Sequence, residues 1–436
     1  MSRKCMHDPP SWVRSEQAYA TPVVLPTSPL AVHGYTAFAQ TRLAGLAMLF
    51  RDSPEHAAFR AEVRAFLAAE LPRETWDMRN DREEMTPEEA EFTRQFRKKL
   101  AARGWLTMGW PKAFGGAGAS YMTQTVYMEE MSAAGAPGAY DQGVWLAGPA
   151  LMMHGTPQQQ QRWLPGMRSA DDHWCQLFSE PGAGSDLASL QTRAVRDGDV
   201  YIVNGQKIWT SGAQEADWGI LLARTDPEAP KHRGITYFMV DMRLPGITIR
   251  PLVNLMGSRH FCEVFFDDVR IPADCLVGEE NRGWYIATTT LDQERSSINR
   301  VVMTRSTLYA LIDYVREHDH LRRDAIRHEL AERYLEFEIG RWLCYRVAQM
   351  QSEGKVPNAE ASASKIFGTE LQRQMGITGL RVLGLPGQLE PGSRWAPLRG
   401  RIERWALAAP SYTIAGGTSE VNRNIIATRG LGLPRG

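Results

Sequence analysis

The spacing of apolar residues changes twice along this 436-residue chain, and those two changes limit the folds open to it. From Ser53 the spacing is helical. Ser53-Pro54 offers an N-cap and a proline suited to the first helical position, and Phe59, Val63, Phe66 and Leu67 follow on one stripe. Thr86-Pro87-Glu88-Glu89 reads as a capping box, with Phe92, Phe96 and Leu100 behind it and Gly104 as the stop. Helical spacing resumes near Thr123 to Met131 and Trp145 to His154. It then gives way to short apolar or β-branched runs at Val200–Val203, Gly219–Ala223, Ile235–Val240, Ile247–Ile249 and Glu263–Phe266. Asn204-Gly205, Gly234, Pro245-Gly246 and Gly257 punctuate those runs. Beyond Gly278 the helical spacing returns. Leu291, Ile298, Val301, Val302, Tyr309 and Ile312 share a stripe, and long patterns cover 324–352 and 359–384. Leu385 to Pro397 reads as a loop, and a last helix is expected after Gly416-Gly417. The prediction is an α+β multidomain chain: an N-terminal α-helical domain over 53–172, a middle antiparallel β domain over 173–272 and a C-terminal α-helical bundle over 280–434.

Three stretches concentrate groups suited to a ligand. Phe178-Ser179-Glu180-Pro181-Gly182-Ala183-Gly184-Ser185-Asp186 combines glycines, which let a ligand approach the backbone, with hydroxyls that can bond it. Its Gly-Ala-Gly is not a dinucleotide fingerprint, because no third glycine follows at the required spacing. Asn204-Gly205-Gln206-Lys207-Ile208-Trp209-Thr210-Ser211 comes next, and Ala415-Gly416-Gly417-Thr418-Ser419-Glu420 follows much later. Each alone reads as an ordinary turn or strand. In this order they resemble the flavin-binding elements of the acyl-CoA dehydrogenase family, and the resemblance runs from about Phe50 to Pro434.

That resemblance implies FAD as cofactor. It sets Gln176, Phe178, Ser179, Gly184 and Ser185 against the flavin and its ribityl chain, Trp209, Thr210 and Ser211 against the ring system, and Thr418 and Glu420 at positions that complete the site. A tryptophan in a strand is ordinarily a core residue; here it would give a flat ring an apolar wall. It also implies removal of an α proton from an acyl-CoA thioester to give the trans-2-enoyl-CoA, with electrons leaving to an electron-transfer flavoprotein. Ser185, Asp292, Arg295 and Gly416 fall on positions that meet the substrate.

Two departures from the family pattern stand out. Many members carry a glutamate immediately before Gly-Thr in the late motif; here Gly416 holds that position and cannot take a proton. A second branch of the family places its base on the helix after the β domain. Leu291-Asp292-Gln293-Glu294-Arg295 matches that stretch, so Glu294 falls on the base position. Glu294 also lies three residues after Leu291 and four before Ile298, in the middle of the apolar stripe, where burial would raise its pKa towards the range useful to a base. The second departure is the Arg-x-x-Phe-Gly stretch with which members reach a neighbouring subunit's cofactor. It is replaced by His320-Leu321-Arg322-Arg323-Asp324-Ala325-Ile326-Arg327, which leaves Arg327 as the residue set against the adenosine half of FAD.

Two other functions stay open: a flavin monooxygenase or oxidase on the same scaffold, and a non-catalytic subunit of a mixed oligomer. Lys plus Arg equals Asp plus Glu at 50 each, which gives no reason to expect nucleic acid or an anionic membrane as partner. Five scattered cysteines without a Cys-x-x-Cys pair fit reduced thiols, and no metal is expected. No run of eighteen apolar residues suggests a membrane span. The scattered thiols fit the cytoplasm, and the resemblance implies a homo-oligomer or a mixed oligomer with a relative. The proline-broken first 47 residues read as an extension outside the fold.

Overall fold

A computed structural model describes residues 51–72, 86–138, 140–291 and 298–434. The expectations for the first 47 residues and for Asp292, Glu294 and Arg295 lie outside the described residues.

The N-terminal helices start where their caps stand. Ser53 caps α1 (Pro54–Glu70) by accepting from the amide of His56. Thr86 and Glu89 form a reciprocal box at the head of α2 (Pro87–Ala102), and Gly104 follows with φ +69. Ser120 caps α3 (Tyr121–Ala133). A widened turn at Gly143–Ala147 leads into α4 (Gly148–His154). The next helix, α5 (Pro157–Ser169), was missed in the sequence, although Thr156 and Gln159 form a second capping box. Gln159 also donates to the carbonyls of Asp274 (2.7 Å) and Leu276 (2.6 Å), which ties this helix to the end of the sheet.

Seven strands follow: β1 (Trp174–Leu177), β2 (Arg193–Asp197), β3 (Val200–Ser211), β4 (Trp218–Arg224), β5 (Ile235–Asp241), β6 (Ile247–Leu252) and β7 (Phe261–Pro272). They pair in the order β1-β4-β2-β3-β7-β6, with β5 also on β4. The sheet is antiparallel except where β1 and one residue of β2 run parallel to β4. The sequence hid β1 and β2 for physical reasons. One has four residues, and the other, Arg-Ala-Val-Arg-Asp, buries a single side chain.

The C-terminal part comprises α6 (Gly283–Leu291), α7 (Ile298–Glu317), α8 (Asp324–Ser352), α9 (Asn358–Leu383), α10 (Arg401–Tyr412) and α11 (Ser419–Ile425). On α7 the buried stripe is Ile298, Val301, Val302, Leu308, Leu311 and Val315; Tyr309 and Ile312, expected on it, are half-buried. No helix among the described residues is long and apolar enough to cross a membrane.

The described residues bury two apolar cores, and these do not follow the linear division into three parts. One joins the sheet to α4, α5 and α6; the other joins α1, α2 and α3 to α7, α8, α9 and α10. The second is sewn together by charge. Arg60 on α1 reaches Glu129 (2.8 Å) and Glu130 (2.5 Å) on α3 and Tyr345 (2.7 Å) on α8, while Arg341 on α8 also pairs with Glu129. Burial alone would raise the Glu129 carboxyl, but Arg341 and Arg60 outweigh it and hold it down to about 2.

Candidate functional site

Two of the three ligand-suited stretches meet in the β domain, through a buried ion pair. Lys207 continues the inward face of β3 after Tyr201 and Val203, and its side chain has no exposure to solvent. Its ammonium donates to Glu180 (2.8 Å) and to the carbonyl of Phe178 (3.0 Å). Glu180 is otherwise engaged by the amides of Gln191 (2.6 Å) and Thr192 (2.8 Å). Burial pushes the Lys207 ammonium down and Glu180 pulls against it; burial raises the Glu180 carboxyl, and Lys207 together with the hydrogen bonds from Thr192 and Gln191 more than reverses that. The loop 178–186 is thus fastened to β3 from beneath. Both residues lie in the stretches singled out above, and neither is among the residues expected to touch a ligand. The signal was there: period-2 alternation puts a lysine on the inward face, and a buried lysine requires a partner.

Above this pair β3 leaves its ladder. The β3–β7 register shifts between Lys207 and Thr210, and the amide of Ile208 donates to Ser179 of the loop instead (2.9 Å). At the shift Trp209 adopts φ +62, the left-handed region that a bulky residue rarely occupies. Its indole is 59% exposed, edge-on to Phe261 at 6.0 Å. Strain of this kind costs about 1–3 kcal/mol and persists where the surroundings impose it, often at a ligand site. Next to it the Thr210 hydroxyl is buried without a hydrogen-bond partner. Buried polar groups without partners are rare, so an exposed aromatic face beside an unanswered hydroxyl fits a planar ligand with polar ring atoms.

The other expected ligand residues fall around these. Gln176 is half-buried on β1, paired with Ile220. Phe178 is buried and packs edge-on to Tyr237 at 6.4 Å. Ser179 and Ser211 are half-buried, whereas Gly184 and Ser185 are exposed. A side chain on Gly184 would meet open space, so that glycine is not demanded by the protein's own packing.

Gly416, Thr418 and Glu420 are carried by the helical bundle. Thr418 caps α11 by accepting from Val421. Glu420 is exposed, and its own amide and the Thr418 hydroxyl hold its carboxyl below the usual range, which makes it a weak base. Ser419 is buried, and its hydroxyl has no partner. Gly416 adopts φ +66 with the Arg300 guanidinium beside it. Arg327 is paired with Asp324 (3.1 Å) on the surface of α8. Near it His328, Arg333, Gln374, Thr378 and Arg381 line a polar cavity of about 290 Å³ between α8 and α9.

Models of the acyl-CoA dehydrogenase N-terminal, middle and C-terminal domains match residues 53–171, 175–269 and 281–431. The acyl-CoA dehydrogenase IpdE1 of Mycobacterium tuberculosis is 38% identical over 384 residues, covering 86% of this chain and 97% of that protein. Among solved structures, the Tcur3481-Tcur3483 steroid ACAD superposes with a TM-score of 0.82 at 36% identity, over 89% of this chain and 100% of that one. The ChsE4-ChsE5 complex of Mycobacterium tuberculosis does so with a TM-score of 0.79 at 35% identity, over 89% of this chain and 100% of that one.

Proposed function

This chain belongs to the acyl-CoA dehydrogenase family, which oxidises acyl-CoA, and we propose that it is an FAD-dependent enzyme converting an acyl-CoA thioester to the trans-2-enoyl-CoA. The observation that carries the cofactor reading is the strained, exposed Trp209 beside the unpartnered Thr210 hydroxyl. On this reading the part over 173–272 holds the ring system, and the helical parts over 53–172 and 280–434 close around the thioester.

The reaction must move one proton from the α carbon and one hydrogen, with its electron pair, from the β carbon. FAD, when bound, supplies the acceptor for that second hydrogen and its pair. The chain supplies the rest. Trp209 offers the wall for a ring, Thr210, Ser179 and Ser211 offer hydroxyls at its edge, and Gln176, Phe178, Gly184 and Ser185 border the loop side. Thr418 and Glu420 face the remainder of the cofactor. Glu294 takes the α proton, Arg295 orients it, and Asp292 and Ser185 meet the CoA arm. Gly416 leaves room for the thioester on the side from which other members aim their base. An electron-transfer flavoprotein then removes the electrons.

A second chain is part of this proposal. The relatives of known structure named Tcur3481-Tcur3483 and ChsE4-ChsE5 each pair two chains, and here the adenosine-side pattern on α8 departs from the family's. A related subunit, or a second copy, would supply what this chain lacks there. Turnover of a panel of acyl-CoA thioesters with an artificial electron acceptor tests the function. Rapid reoxidation of the reduced flavin by oxygen would favour an oxidase instead, and a purified protein without flavin absorbance would favour a supporting subunit.

Trp209→Ala is expected to weaken FAD binding roughly tenfold, the order of one lost aromatic contact, with little change in the melting temperature of the FAD-free protein because the indole is mostly exposed. Equilibrium titration of FAD into both proteins measures this, and equal affinities would remove Trp209 from the site.

A further inference from the structure

Two cations, Lys365 and Arg300, lie against the turn that carries Gly416 and Thr418. Lys365 on α9 is only 5% exposed, and its ammonium donates to the carbonyls of Tyr412 and Thr413, both at 3.3 Å. These carbonyls end α10, where the helix has no amide left for them and its dipole favours a positive charge. The Thr413 oxygen serves twice. It also accepts from the amide of Ser419 (3.0 Å), the bond that closes the turn. Asn422 fastens the same turn from within, through Nδ2 to the carbonyls of Gly417 (2.9 Å) and Thr418 (3.0 Å). Arg300 of α7 brings Nη2 within 2.8 Å of where a Cβ on Gly416 would stand.

We propose that Lys365 is a positioning residue of the reaction: it holds the carbonyl end of α10 and so sets where Gly416 and Thr418 stand relative to thioester and flavin. The proposal rests on the functional reading above. The charged groups around Lys365 are Arg300 from α7, Glu370 on its own helix and Glu420 from α11. Glu370 is itself taken by Arg423. Burial first, and Arg300 second, hold the ammonium down to about 8.

The sign of that shift separates positioning from simple support. The folded protein gives up this proton near 8, whereas an unfolded chain would do so near its ordinary 10.5. Between those values the unfolded state binds more protons, so this group makes the fold more stable as pH rises. The charged hold on α10 fades over the same rise, because a neutral amine makes a weaker bond to a carbonyl. Stability and activity therefore move in opposite directions through pH about 8.

The test compares the FAD-loaded protein with Lys365→Met and Lys365→Arg from pH about 6.5 to 9.5, reading kcat/KM for an acyl-CoA thioester, the rate of FAD release and the melting temperature. The unmodified protein is expected to lose kcat/KM with an inflection near 8 while its melting temperature gains relative to the Met variant. Lys365→Met should be roughly tenfold slower at pH 7, the order of one charge-assisted hydrogen bond, and flat across the window. Lys365→Arg should keep the rate at pH 7 and lose the inflection. A Met variant with full activity, or either variant retaining the inflection, overturns the proposal. Should Lys365→Met fail to fold, the Arg variant's profile decides. Should no thioester react with the unmodified protein, the functional reading falls, and FAD release decides for Lys365: faster release from the Met variant supports it, equal release overturns it.

Discussion

Glu294→Gln is expected to slow substrate-driven bleaching of the flavin by about 10²–10⁴-fold, the usual contribution of a general base, while FAD content stays unchanged. The substitution keeps the shape of the side chain and removes its basicity. Gly416, at the position where many relatives carry the base, has no ionisable side chain. Glu420, four residues on, is stabilised as an anion by its own amide and by Thr418. Adding Gly416→Glu is not expected to restore the rate. Its Cβ would stand 2.8 Å from Arg300 Nη2 at a φ of +66, so the new carboxylate would be strained and captured in an ion pair. Stopped-flow absorbance of the two variants checks both statements. Bleaching of Glu294→Gln at the unmodified rate would remove Glu294 from the mechanism and leave the cofactor reading intact.

The second large effect concerns stability and the cofactor together. Lys207→Met is expected to destabilise the protein by about 3–5 kcal/mol, because it strands the Glu180 carboxylate in a site from which water is excluded. The same change should loosen loop 178–186, since Lys207 also holds the Phe178 carbonyl, and FAD affinity should fall with it. Lys207→Met combined with Glu180→Gln removes the stranded charge and keeps an acceptor oxygen for one of the two amides, Gln191 or Thr192. It should recover part of the loss in denaturant unfolding without recovering FAD affinity in full. If the double variant is no more stable than the single one, the pair is not what fastens the loop.

How much of this could be read in advance depended on the range of the forces involved. Caps are local, and Ser53, Thr86 and Glu89 bond as their spacing indicates. The strand-rich segment was legible where branched residues are buried on both faces, as in β4 and β5, and illegible in the polar β2. Helix α10 went unread because Pro410 stands inside it and loop-forming residues precede it. What sequence could not convey was pairing at a distance. Glu180 meets Lys207 across 27 positions, and Lys365 meets Thr413 across 48. The left-handed Trp209 is also a product of the fold, since the register shift against β7 and the bond from Ile208 to Ser179 together create it.

FAD binding and FAD-dependent oxidation of an acyl-CoA thioester are together what we propose for this chain. The most direct measurement is the visible spectrum of the FAD-loaded protein, titrated anaerobically with acyl-CoA thioesters of differing chain length, branching and ring content. At least one thioester is expected to bleach the flavin, with one enoyl thioester formed for each flavin reduced. A protein that takes up no FAD, or whose flavin every thioester leaves oxidised, would contradict it.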